Sequence, residues 1–380
     1  MKIGIMSMQR VVNYGSFLQA YALQNTIKKL GHDVEFVDYT VEPCVCPLQT
    51  SECSTNGLKN RAKENLRNIK WGYLKKYSGK KFESYEQFSN DYREIYMPLI
   101  GVSDEKNISP YLDCLVIGSD EVFNCLQNNE NVGYSKELFG ARANAPMIIS
   151  YAASFGSATI QGLRKYNIAD EISKMLLKFK AISVRDYNSK AIVSELTERE
   201  PNLNIDPVLV YNFDAEINSA EIKHRYEKFM IVYAYPGRIT KEEKKAIRSY
   251  ARKNGLKIIA IGVICDFCDE CIFPTPFEVL RLFKEAECVV TDTFHGSVIS
   301  IKYNKQFVSF VRSQGNIFTN GEKLGDLLKQ FGLEARIARY AGDLEEVLNN
   351  KIDYAPVNQQ LENEYNKSIE YLVDNIGQAK

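Results

Sequence analysis

The sequence predicts an α/β protein made of two doubly wound domains that face one another across a cleft. Three observations lead there. Short apolar runs alternate with helix-period segments along most of the 380 residues, the rhythm of βαβ units and a parallel sheet. That rhythm starts a second time near Phe229, which gives two sheets instead of one oversized core. Five short polar motifs follow directly on predicted strands, where open α/β sheets hold their ligands.

The first series opens with the strand Lys2–Met6. Phe17, Leu18, Tyr21, Ala22, Leu23, Ile27 and Leu30 then recur at helical spacing up to Gly31, and Val34–Val37 is the next strand. Residues 40–110 break the rhythm. They hold Cys44, Cys46 and Cys53 and a basic polar stretch from Lys59 to Lys81, and read as an insertion with helices of its own. Its charge is a solvated face, or a means of approaching an anionic, lipid-linked acceptor. Strands return at Cys114–Ile117, Met147–Ser150, Ala181–Val184 and Asn204–Asp206, with a helix at Ile168–Lys180.

The second series runs from strand Phe229–Tyr235 through helix Lys241–Asn254, strand Leu256–Ile261 and helix Phe277–Ala286. Strand Cys288–Thr291, helix Ser297–Tyr303 and strand Phe307–Phe310 complete it. The expected domains are therefore 1–212, with the insertion, and 213–355. A C-terminal helix in 356–380 is expected to pack back on the first domain.

Composition narrows the function. Lys plus Arg number 48 and Asp plus Glu number 48, so the zero net charge gives no reason to expect a nucleic-acid partner. No run of 18 apolar residues is present. MKIGIMSM reads as a first strand and not as a signal peptide, and nine Cys read as reduced thiols, which places the chain in the cytoplasm. There is no Walker loop, GxGxxG, HExxH or GxSxG. With only three His, a His-based catalytic metal site is not expected, and no cofactor is called for.

The five motifs are Asn13-Tyr14-Gly15, Gly118-Ser119-Asp120, Ser154-Phe155-Gly156, Arg185-Asp186 and Thr291-Asp292-Thr293-Phe294-His295-Gly296. His295 precedes Gly296-Ser297, read as a helix start, which is a natural seat for phosphate or carboxylate. An imidazole there either donates to an anion and moves a proton or merely caps the turn. Arg185 either forks onto an anion or pairs with Asp186 or another neighbour. Asp120 either contacts an acceptor hydroxyl or caps the next helix. Asp206-Pro207 reads as a structural turn. Cys265, Cys268 and Cys271 have metal-ligand spacing but no adjacent fourth ligand, so they read as loop thiols, or as a zinc or iron–sulfur site whose fourth ligand comes from Cys44, Cys46 or Cys53 of the insertion.

In this order the motifs resemble the polysaccharide pyruvyl transferase family. The matching pieces are Asn13-Tyr14-Gly15 with Gln19–Gln24, Gly118–Asn124, Ser150–Gly156, Ser183–Asp186, Asp206–Leu209 and Thr291–Gly296, spread over about 300 residues. The resemblance implies two Rossmann-like domains in a GT-B-like pair. It also implies transfer of pyruvate from phosphoenolpyruvate onto two hydroxyls of a sugar in a bacterial surface polysaccharide or its lipid-linked precursor. It assigns His295 as acid or phosphate partner, Arg185 as the carboxylate or phosphate clamp and Asp120 as acceptor contact or base. Gly296, Ser297, Lys323 and Asn13 complete the expected donor set.

One departure stands out: Thr293 occupies the place of a family Arg two residues before the His, with Lys323 or Arg312 as candidate replacements. Two other readings follow from the same scaffold, a glycosyl transferase using a nucleotide sugar and a non-catalytic member. Peripheral association with the inner face of the plasma membrane is an expectation of the lipid-linked acceptor alone.

Overall fold

The computed structural model describes residues 1–46, 79–127, 133–311 and 321–378. The first sheet holds β1 (Lys2–Met6), β2 (Asp33–Phe36), β3 (Cys114–Asp120), β4 (Ile148–Ala153), β5 (Ser183–Val184) and β6 (Asn202–Leu203) in the order β2-β1-β3-β4-β5-β6, all parallel. β1 and β3 are apolar runs buried on both faces, as central strands of a covered parallel sheet must be. The second sheet holds β7 (Phe229–Tyr233), β8 (Lys257–Ile261), β9 (Glu270–Ile272), β10 (Cys288–Thr291), β11 (Gln306–Phe310) and β12 (Ile337–Ala338) in the order β12-β11-β10-β7-β8-β9, again all parallel.

These are two Rossmann-like doubly wound parallel sheets. The first reverses its winding between β1 and β3, the second between β7 and β10. Ligands of such sheets sit beyond the carboxyl ends of the strands at that switch point. The residues so placed are the loop reaching Asn13 and Asp120 in one domain, and Tyr233–Tyr235 with Thr291–His295 in the other.

In the first domain the helices that matter are α1 (Tyr14–Lys29), α2 (Gly79–Asp91), α3 (Tyr187–Thr197) and α4 (Pro207–Val210). The second domain contributes α5 (Lys241–Asn254), α6 (Pro276–Glu285), α7 (Phe294–Lys302) and α8 (Gly321–Gln330), and the chain ends on α9 (Tyr354–Ile376). α5 starts on a capping box between Thr240 and Glu243 and stops at Gly255 in the left-handed region. An aromatic seam joins the domains: Phe17 and Tyr21 of α1 meet Phe277 of α6, with ring centroids 6.0 and 5.0 Å apart.

Several expected boundaries move: strand Ala181–Val184 shortens to Ser183–Val184, strand Phe229–Tyr235 ends at Tyr233 and helix Ile168–Lys180 becomes Ala169–Leu176, and two further changes bear on the site. The chain leaves the sheet after Leu203, so Asn204–Asp206 is not a strand. Asp206 caps α4 by accepting from Val208 N, and Pro207 takes the first helical position, where its missing N–H is harmless. The helix expected from Ser297 begins three residues earlier, at Phe294, because Thr293 caps it. The insertion contributes α2, which runs into a π-helical turn at Tyr92–Tyr96. Cys53 and the basic stretch up to residue 78 lie outside the described residues, as does Arg312. α9 lies against the first domain, with Tyr371 donating to Ser150 O at 2.7 Å and Lys180 to Asn375 O at 2.8 Å.

Candidate active site

Asp120 ends β3 with φ at 76°, a left-handed backbone that few non-glycine residues adopt. Its carboxylate accepts from Ser16 Oγ of α1 at 3.3 Å and from Arg185 Nη2 at 2.9 Å. The other arm of the guanidinium donates to Asp206 Oδ2 at 3.0 Å. Arg185 leaves the end of β5, its side chain is only 1% exposed, and its guanidinium carbon lies 4.2 Å from the centre of the Phe294 ring.

His295 comes in from the other domain. Its Nε2 lies 3.5 Å from Asp206 Oδ2, and no closer protein group partners that nitrogen. The ring packs onto the start of α1 at Gly15, where a Cβ would lie 2.3 Å from Nδ1, so only glycine allows this approach. Lys323 of α8 pairs across the cleft with Glu121, and Tyr187 N donates to Asp326 of the same helix at 2.9 Å.

Burial alone would raise the carboxyls of Asp120, Glu121 and Asp206. Opposite charges outweigh it and hold all three below the usual carboxylate range. For Asp120 the opposing charges are Arg185, His295 and Lys323. For Asp206 they are His295 and Arg185, aided by the Val208 N–H. Arg185 and Lys323 move the other way: burial lowers them, and their carboxylate partners raise them further than that. Two permanent cations thus face three carboxylates.

Beside this cluster lies a cavity of about 210 Å³ between the domains. It sits at the carboxyl ends of β7, β8 and β10. Tyr14, Tyr85 and Phe88 line it from the first domain, Tyr233 and Tyr235 from the second, and His295 stands at its edge. Among the described residues no Lys, Arg, Asp or Glu lines it.

The expected site residues divide accordingly. Arg185, His295, Asp120 and Lys323 come together. Arg185 and His295, however, meet at the carboxylate of Asp206, and the guanidinium is already engaged at both arms. The anion seat expected at Gly296 and Ser297 is filled by the protein itself. Gly296 N donates to Thr293 Oγ1 at 2.9 Å and Ser297 N to Thr293 O at 3.4 Å. Ser297 Oγ turns inward to Ser309 Oγ at 2.7 Å. Asn13 lines the cavity as the cap of α1, with Oδ1 accepting from Gly15 N at 2.7 Å. Thr293, in place of an arginine, is the cap of α7.

Sequence reasoning undervalued Asp206, a cap that is also the hub of the ion cluster, and missed Tyr235 and Tyr85. Tyr235 follows β7 directly, so the switch-point rule could have found it. Tyr85 lies in the insertion, where the rhythm offered no such guide. In the CxxCxxC loop, Cys265 N donates to Cys271 Sγ and Cys271 Sγ to Cys265 O, each at 3.2 Å. A hydrogen bond with Cys265, together with burial, raises the Cys268 thiol. Among the described residues no group of three or more His, Cys, Asp or Glu side chains is arranged to hold a metal ion, and no helix is long and apolar enough to cross a membrane.

A family model described as polysaccharide pyruvyl transferase matches residues 13–314. No curated protein matches the sequence. Solved structures match along nearly the whole chain at low identity. A UDP-GlcNAc 2-epimerase from Neisseria meningitidis bound to UDP-GlcNAc is 10% identical, with 99% of each chain covered and a TM-score of 0.49. UGT89C1 of Arabidopsis thaliana complexed with quercetin is 9% identical, with 99% of each chain covered and a TM-score of 0.47. Likenesses at this level say nothing of chemistry.

Proposed function

The chain belongs to the polysaccharide pyruvyl transferase family, and on that premise we propose that it moves the pyruvyl group of phosphoenolpyruvate onto two hydroxyls of one sugar. The observation that supports this most is the convergence, at the facing switch points of two sheets, of an imidazole backed by a carboxylate with a charged cluster drawn from both domains.

In this reading Lys323 exchanges Glu121 for an anionic group of the donor. Arg185 keeps Asp120 and Asp206 in place and supplies positive charge behind them. Protonation of the donor's methylene carbon, by a protonated His295, leaves an electron-poor carbon at the neighbouring position. One sugar hydroxyl adds there and gives up its proton to Asp120, the base of this reading. The carbon–phosphate oxygen bond then breaks, and phosphate leaves. The second hydroxyl closes the ketal and loses the second proton. Phosphoenolpyruvate and a diol thus give a ketal and inorganic phosphate with no redox change.

The acceptor is a saccharide of a bacterial surface polysaccharide or its lipid-linked precursor, met in the cytoplasm at the inner face of the membrane. The test is mass spectrometry of candidate oligosaccharides incubated with protein and phosphoenolpyruvate. A mass gain equal to a pyruvate ketal, matched by phosphate release, is expected. Transfer from a nucleotide sugar, with phosphoenolpyruvate left intact, would overturn the reading.

A further inference from the structure

We propose that the aromatic cavity beside His295 seats a single pyranose ring, the acceptor sugar, and excludes the anionic donor, which is left to the charged groups around Lys323. The identification of this ring as the acceptor rests on the pyruvyl-transfer reading.

The walls decide what the cavity accepts. Among its described lining residues the polar side chains are hydroxyls, one amide and one imidazole, with no Lys or Arg. A carboxylate and a phosphate placed there would lose water with no lining guanidinium or ammonium, among the described residues, to take its place. A pyranose carries no charge. It has C–H faces that match aromatic rings and a rim of hydroxyls that match Asn13, Thr293 and His295. The volume of about 210 Å³ falls below the roughly 300–1,000 Å³ of sites for drug-sized ligands, and so suits one ring and not a dinucleotide.

Two of the aromatic walls are half-open. Tyr85 is 37% exposed and Tyr235 40%, although both are large rings at one concave site and come from opposite domains. Each is braced from behind. The Tyr85 ring lies 5.7 Å from that of Phe273, and the Arg238 guanidinium carbon lies 4.2 Å from the centre of the Tyr235 ring. Braced rings with open surface are ready to take a third ring between them at little cost in side-chain freedom. Tyr235 also lies within electrostatic reach of Lys323, Asp120, Glu121 and Arg238, so it marks the border between the neutral cavity and the charged cluster. A sugar held there presents its hydroxyl rim to His295 at the boundary where the donor would arrive.

The test reads binding without turnover. Methyl pyranosides of glucose, galactose, mannose and N-acetylglucosamine are titrated against wild type, Tyr85→Ala, Tyr235→Ala and the two Phe variants, with saturation-transfer NMR as readout. Phosphoenolpyruvate is titrated in parallel. At least one pyranoside is expected to bind, with affinity reduced about three- to tenfold by either Ala variant and largely kept by Phe. Phosphoenolpyruvate affinity is expected to stay within about twofold. The proposal falls if no pyranoside binds, if phosphoenolpyruvate displaces the sugar, or if the Ala variants, melting like wild type, weaken phosphoenolpyruvate instead. Sugar binding without ketal formation would count against the donor assignment and leave the seat standing.

Discussion

The carboxylate of Asp206 lies 3.5 Å from His295 Nε2, across the boundary between the two domains and shut off from water. The same Oδ2 accepts from Arg185 at 3.0 Å. One carboxylate from the end of the first domain thus orients the imidazole of the second. Asp206→Asn keeps the shape and the cap on Val208 but removes the charge. Breaking a buried pair from one side typically costs about 3 kcal/mol, and a drop of that size in urea-melt stability is expected. Turnover is expected to fall about a hundredfold, on the order that a positioned acid or base contributes. Unchanged turnover in a variant that folds would remove Asp206 from the site.

Gly15 is the surface against which His295 rests. A methyl group there would fall 2.3 Å from the ring, so Gly15→Ala must push the imidazole off Asp206. Overpacking of this kind costs about 1–3 kcal/mol. His295→Ala is expected to fold while losing most activity, and in that background the penalty of Gly15→Ala is expected to vanish, since its obstacle is gone. Melts of the four proteins give the coupling directly. An equal penalty in both backgrounds would show that the helix start, and not the ring, resists the methyl.

Much of this was legible in the sequence, for physical reasons. Parallel strands buried on both faces leave continuous apolar runs, so β1, β3, β7 and β10 stood out, and the polar residues at the end of β3 and after β10 pointed to Asp120 and His295, as the end of β5 pointed to Arg185. What stayed hidden was pairing. Nothing in the local sequence says that Arg185 grips Asp120 and Asp206 at once, because those contacts span 65 and 21 residues. The seat expected at Gly296-Ser297 failed for the opposite reason. Thr293 satisfies the helix start locally, a threonine cap that could have been read directly. Tyr85 could not have been placed, because the insertion's aromatic face takes its meaning from the second domain against which it packs.

Arg185→Lys tests the fork. The two guanidinium arms serve carboxylates on different segments of chain, and an ammonium on a shorter stem cannot reach both in the same plane. A loss of about 2–3 kcal/mol is expected, with phosphoenolpyruvate affinity falling as Asp120 or Asp206 loses its partner. A titration that shows wild-type affinity, in a protein of wild-type stability, would mean that one arm is dispensable.

Lys302, the last residue of α7, offers a pH test remote from the chemistry. Its Nζ donates to Tyr211 O at 2.7 Å beside the Phe213 ring, and burial brings its pKa down to about 8, only partly opposed by Asp214. Between pH 8 and the ordinary lysine value of 10.5 the unfolded chain keeps a proton that the folded protein has released. Stability therefore rises with pH in that window and is penalised by a constant amount below it. Lys302→Met removes the titration. The gain of about 3 kcal/mol from the lost penalty, less about 1 kcal/mol for the unpartnered Tyr211 carbonyl, predicts a variant more stable than wild type by about 2 kcal/mol at pH 7. The two curves should cross near pH 10, and above it wild type should be the more stable by up to about 1 kcal/mol, because the neutral amine still donates to Tyr211 O. Chemical denaturation at pH 7, 9 and 10 decides the matter, because parallel curves for wild type and variant would mean that Lys302 reaches water and carries no burial penalty.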